Sequence, residues 1–202
     1  ILDLLLILAL TAGAFLALRT GRERARLLAD YERLASRAGD LPISDPSKIY
    51  LLALETGEPL HFAWRVHLPA NYRMNLRESA GSSHSGWSSE AREFIARVRL
   101  REGDRGELLV YSSFWGGSSL MGVGTAEFAS LLRERWDQIE VEQIGSSSLA
   151  VLDPKKPAVL LRLKLPESFA VEARAKKIPD YVLERYVPVL LELTLGPDAA
   201  QP

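Results

Sequence analysis

The chain has 202 residues, enough for one N-terminal segment and one globular domain of common size. With 25 basic and 26 acidic residues the net charge is −1, so no global field favours nucleic acid or an anionic substrate. Cysteine is absent, which removes disulfides, thiolate nucleophiles and cysteine metal sites, and the three histidines (His61, His67, His84) leave little material for a histidine metal centre or catalytic base.

In chain order, residues 1–18 read ILDLLLILALTAGAFLAL, apolar or small apart from Asp3 and Thr11. A helix of this length spans about 27 Å, the minimum for a bilayer core. It shows no polar face, and no small-x-small cleavage site follows it, so the pattern predicts a retained membrane helix. Ile1, Leu2, Leu4, Leu5, Leu8, Phe15 and Leu18 are its candidate membrane or assembly residues, together with Asp3. From Arg22 to Ala38 the period becomes amphipathic, with Leu27, Leu28, Tyr31, Leu34, Ala35 and Ala38 near one stripe, Gly39 suited to the C-cap and Pro42 preventing continuation. Leu27, Tyr31 and Leu34 are candidate subunit contacts. Arginines 19, 22, 24 and 26 would set their side in the cytoplasm, whereas the Ser- and Gly-containing β domain reads as an exported module. The expectation is a β domain outside the cytoplasm.

The expected division is a hydrophobic-then-amphipathic helix over 1–40, a linker over 41–47 with two prolines, a β-rich head over 48–196 and a tail over 197–202. Within the head, period-two alternation marks half-buried antiparallel strands. Phe62, Trp64, Val66 and Leu68 alternate with His61, Ala63, Arg65 and His67. Phe94, Ala96, Val98 and Leu100 alternate with Arg97, Arg99 and Arg101, and similar runs cover 159–165 and 191–195. Further strand candidates are 48–54, 106–114 and 139–143. One helix is predicted at Thr125–Gln138, N-capped by Thr125, with Phe128, Leu131, Leu132 and Trp136 as its buried stripe; residues 170–177 are ambiguous. The expected fold class is α+β, a long N-terminal helix followed by a β-sandwich-like domain with one short helix.

Candidate chemistry is sparse. His61 and His67 share a strand face but lie about 20 Å apart along it, too far for one metal, and read as solvent-facing. His84 sits in SAGSSHSGWSS, without a nucleophile elbow, and reads as part of a flexible hairpin loop with Trp87 anchoring it or touching a partner. The run Ser112–Gly124, SSFWGGSSLMGVG, lacks a phosphate-loop or dinucleotide signature. Its Phe114, Trp115 and Met121 are expected to pack on the core or to contact a subunit. Arg97 and Arg99 form a basic face that is either solvated or complementary to acids on another subunit; nucleic acid is not expected. No catalytic, cofactor or metal site is expected.

The opening resembles the processed N-termini of type IV pilins and pseudopilins, in which an apolar stretch, an acid and a long apolar helix follow in order. Ile1-Leu2-Asp3-Leu4-Leu5 matches the Leu-Ile-Glu-Leu-Leu part of the family run if two residues precede Ile1, with Asp3 in the acid's position. The resemblance implies that Asp3 pairs with the terminal amine of a neighbouring subunit as the helices bundle; a hydrated acid at the membrane surface is the alternative. The same opening, with Asp45-Pro46-Ser47 and Trp64-Arg65-Val66-x-Leu68-Pro69, also resembles uncharacterised single-pass proteins of planctomycete bacteria, which implies no activity. The functional expectation is a non-enzymatic, pilin-like structural subunit, homo-oligomeric through its N-terminal helices, in an extracellular filament of the cell envelope. The alternative is a single-pass accessory or binding module of a membrane complex, in contact with the bilayer and other membrane subunits.

Overall fold

Alternating apolar residues build two sheets that bury their inner faces against each other. The computed structural model describes residue 20, residues 41–79, residue 81 and residues 83–197. The chain divides after Asp40, and the part from Leu41 onward is a unit of its own. Its strands are β1 (Ile49–Leu54), β2 (His61–Leu68), β3 (Arg73–Glu78), β4 (Ser83–Trp87), β5 (Arg92–Glu102), β6 (Leu108–Phe114), β7 (Gly117–Val123), β8 (Glu140–Gln143), β9 (Ala150–Leu152), β10 (Ala158–Lys164) and β11 (Val189–Pro197). The first sheet runs β7-β6-β5-β2-β1-β9 and the second β4-β3-β11-β10-β8, with all recorded pairings antiparallel. Trp64, Val66, Val98 and Val110 from the first sheet meet Met74, Leu76, Leu161 and Leu193 from the second in one core. The fold is β-rich and sandwich-like.

This architecture corrects the expected α+β fold class. Among the described residues the molecule is two mostly antiparallel sheets with three short helices: α1 (Ala126–Glu134), α2 (Ser168–Ala175) and α3 (Asp180–Tyr186). No described helix is long and apolar enough to cross a membrane. The predicted N-terminal helix, with Ile1, Leu2, Asp3, Leu4, Leu5, Leu8, Phe15, Leu18, Leu27, Tyr31 and Leu34, falls outside the described residues. Where one helix was expected, α1 starts as the cap residue predicts, Phe128 N–H donating to Thr125 Oγ1 at 3.3 Å. The two additional helices are too short for a 3.6-residue period to stand out, and packing rather than propensity holds them. Phe169 and Ala173 of α2 and Val182, Leu183 and Tyr186 of α3 are buried. The Phe169 ring meets Phe128 edge-on at 5.5 Å, and Tyr186 lies 5.8 Å from Phe128.

The two sheets are stitched where β8 ends. Ile144 N–H donates to Leu160 in the second sheet, its carbonyl accepts from Trp64 Nε1 at 3.0 Å, and Gly145 carbonyl accepts from Ala53 N–H. Two consecutive residues, Ile144 and Gly145, thus tie β10 to β2 and β1.

The outer faces differ. On the second sheet Glu142, Arg162 and Glu192 stand side by side across β8, β10 and β11, with Arg162 Nε 2.6 Å from Glu192, and Lys164 pairs with Glu140 and Glu142. The hydrogen bond from Lys164 holds the Glu142 carboxyl below its usual range. On the first sheet, Leu41, Tyr50 and Leu52 make a small second core with Ile43 and Leu149. His67 is buried beside it, its ring 5.8 Å from that of Tyr50, rather than facing solvent as the strand alternation suggests. The predicted linker therefore includes a residue, Leu41, that packs.

Tyr72 is buried with no hydrogen-bond partner on its hydroxyl, and burial pushes its phenol up to about 12. Because the folded value exceeds the unfolded value near 10, this group's contribution is fully present below pH 10 and is lost as pH rises from 10 toward 12. Tyr72→Phe is expected to leave neutral-pH stability equal or raised by about 1 kcal/mol, because an unsatisfied buried hydroxyl is removed. It should also flatten the alkaline limb of a urea-denaturation series between pH 9 and 12; an alkaline limb as steep as wild type would contradict the assignment.

Candidate functional site

Strand β4 brings His84 inward against the first sheet. The segment expected as a flexible hairpin loop is thus an edge strand paired with β3. His84 Nε2 lies 3.2 Å from Ser112 Oγ, which is 2.7 Å from Ser119 Oγ, and Glu78 Oε1 lies 3.7 Å from the same Nε2. The His84 side chain is 11% exposed, the Glu78 side chain 0%, and Ser112 is fully buried. Glu78 comes from β3, His84 from β4, Ser112 from β6 and Ser119 from β7, so a carboxylate, an imidazole and two hydroxyls converge from both sheets.

That composition invites comparison with a nucleophilic triad, and the geometry argues against it. In a triad the carboxylate orients one ring nitrogen while the hydroxyl bonds the other. Here Glu78 and Ser112 address the same nitrogen. The other, Nδ1, faces the backbone of Gly117, where an added Cβ would lie 3.7 Å away. With Ser112 enclosed, the cluster acts as a polar seam closing one corner of the sandwich. Two aromatics complete that seam. Phe114 is buried, its ring 5.4 Å from His84, and Trp115 lies over Gly86, where any Cβ would approach its ring to 2.8 Å.

The sequence-predicted contact residues are distributed as follows. Trp87 ends β4, opposite Arg73, and is 56% exposed. Trp115 and Met121 are half-buried against the core. Arg97 and Arg99 project from the outer face of β5, Arg99 binding Glu58 at 2.8 Å and neighbouring Arg65 binding Glu93 at 3.0 Å. Phe114, Trp115 and Met121 belong to one tight hairpin, β6–Trp115–Gly116–β7, rather than to an irregular loop.

A cleft of about 640 Å3 opens at the far end of the sandwich, lined by Thr56, Glu58, His61, Trp136, Asp137 and Gln143 among others. His61 Nδ1 lies 3.5 Å from Glu58 in this cleft. Among the described residues no group of three or more His, Cys, Asp or Glu side chains is arranged to hold a metal ion.

Sequence reasoning singled out Met121 of β7 but missed the exposed residues Tyr111, Leu120 and Ile95. Tyr111 of β6 and Leu120 of β7 are cross-strand partners on the outer face, both exposed, with Ile95 exposed on β5. A signal for them was readable: from Leu108 to Ala126 the chain carries no charged residue, in a sequence that is 25% charged overall. No protein-family model, curated protein or solved structure matches the chain.

Proposed function

We propose that the chain is a non-enzymatic structural subunit of a cell-envelope assembly, in which the β-rich head makes lateral protein contacts. The apolar residues 1–18 would supply attachment to the bilayer or to neighbouring copies. The observation that carries this reading is the hairpin of β6 and β7, two strands without a charged residue, whose outer face exposes the cross-strand pair Tyr111 and Leu120. Apolar residues gathered on one exposed face mark interaction surfaces in soluble domains. The His84 seam and the ion pairs of the second sheet are internally committed. A pilin-like filament is the form suggested by Asp3 and its apolar surroundings. A membrane-anchored binding module is the second reading, favoured by the cleft around Trp136.

Negative-stain microscopy of sheared surface material from cells producing the full chain tests the proposal. Fibres containing the chain, lost in Asp3→Ala, support the filament. Chain recovered only by detergent, in a complex with other membrane proteins, supports the second reading. A monomer without partners after mild extraction overturns both.

A further inference from the structure

We propose that β7 is a pairing edge for a second copy of this chain, joined strand to strand about a two-fold axis through Leu120. The inference rests on the reading of the head as a lateral-contact domain and names the surface and the partner. Sheets end in rows of unpaired backbone groups, and proteins protect such edges with charge, shortness, proline or cover. Among the described residues, three of the four sheet edges carry such devices. β8 presents Glu140 and Glu142, β9 has three residues and runs into Asp153-Pro154, and five-residue β4 is clamped inward by His84. β7, GSSLMGV, has seven residues with no charge and no proline.

The hairpin geometry says which groups are free. Phe114 and Gly117 flank the two-residue turn and form a hydrogen-bonded pair, so the pairs alternate from there along the hairpin. The backbone groups of Ser118, Leu120 and Gly122 therefore point away from β6, toward the open edge. An antiparallel copy centred on Leu120 sets Leu120 against Leu120 and Ser118 against Gly122, an exchange of about six hydrogen bonds. The register suits a self-pairing. Leu120 is 57% exposed, the small residues on either side leave it room, and a Cβ at Gly122 would meet nothing within 4 Å. With β6 and β7 both uncharged, no like charges face one another across the paired strands. Tyr111 extends the apolar outer face one strand further on each side.

The chain has no native cysteine, so Leu120→Cys places a single thiol at the axis. Opposed Cα atoms in such a pair lie about 5.5 Å apart, within disulfide reach. In the full chain in detergent, mild oxidation should link Leu120→Cys into dimers about tenfold or more faster than Val171→Cys, because pairing raises the effective thiol concentration. Val171 is the exposed control on α2. Leu120→Lys and Leu120→Glu should each weaken self-association, and mixing the two should restore it, an outcome that misfolding would not give. Linkage no faster than the control, or capture of a different polypeptide, overturns the inference. If the wild-type chain self-associates while Leu120 shows neither linkage nor charge rescue, the edge pairing fails and the lateral-contact reading stands. If the wild-type chain stays a monomer without any partner, both fail.

Discussion

Trp64→Ala is expected to lower the unfolding free energy by about 3–5 kcal/mol, the range for emptying a large aromatic site in a core. Trp64 is fully buried in β2 at the centre of the shared core, and its Nε1–H donates to Ile144 carbonyl at 3.0 Å. Two losses therefore add. The cavity removes packing from both sheets, and the Ile144 carbonyl loses a donor inside the protein, itself a cost of about 1–3 kcal/mol unless water enters. Against a total stability of about 5–15 kcal/mol this is a large fraction, equivalent to roughly 10 °C in Tm for a domain of this size. Trp64→Phe keeps most of the ring and loses the hydrogen bond, so its cost should be less than half that of alanine. Urea denaturation followed by far-ultraviolet circular dichroism reads both variants. A loss under 1 kcal/mol for Trp64→Ala would mean that the residue does not bridge the sheets as described.

Gly145→Ala acts on the next residue of the same stitch. Gly145 has φ +78°, a conformation that costs other residues about 1–2 kcal/mol. An added Cβ would lie 2.9 Å from Leu51 carbonyl oxygen and 3.1 Å from Ala53 nitrogen. Both obstacles are backbone of β1, so relief requires the strand or the loop to move. Movement in turn weakens the bond from Ala53 N–H to Gly145 carbonyl. The expected cost is about 2–3 kcal/mol, with faster amide exchange at Ala53 as the local signature. Because the Ile144 and Gly145 carbonyls lie on consecutive peptides, Gly145→Ala and Trp64→Phe should be non-additive by about 0.5 kcal/mol or more in a double-mutant cycle. Additivity within 0.3 kcal/mol would show that the two bonds are independent.

Much of the strand content was legible because a half-buried strand writes its environment into every second residue. The alternation of Phe62, Trp64, Val66 and Leu68 and of Ala96, Val98 and Leu100 matches their burial in the core. Thr125 announced the start of α1 because an N-cap is a local interaction. The same logic failed where the residue type carried no hydrophobic period. Ser83–Trp87 reads as a loop from its serines and glycine, yet it is a strand, since β3 offers it a partner and Trp115 packs onto the bare Gly86. His67 alternates with the core residues as a solvent-facing position should, and is buried because Leu41, Tyr50 and Leu52 build a second core on that side of the sheet.

The candidate site was less legible than the fold. His84 stood out as one of three histidines, but its companions Glu78, Ser112 and Ser119 come from three other strands, and no spacing rule links them. By itself the sequence determined the absence of thiol chemistry, the balanced charge, the apolar run at residues 1–18 and the uncharged run from Leu108 to Ala126. Those are properties of composition and of near neighbours, which one dimension records completely. Only the tertiary structure decided that His84, Ser112 and Glu78 form an enclosed seam, and that the uncharged run ends as an exposed sheet edge. Both depend on which strands become neighbours and which one is left last in its sheet, and that is set by pairing between residues far apart in the chain.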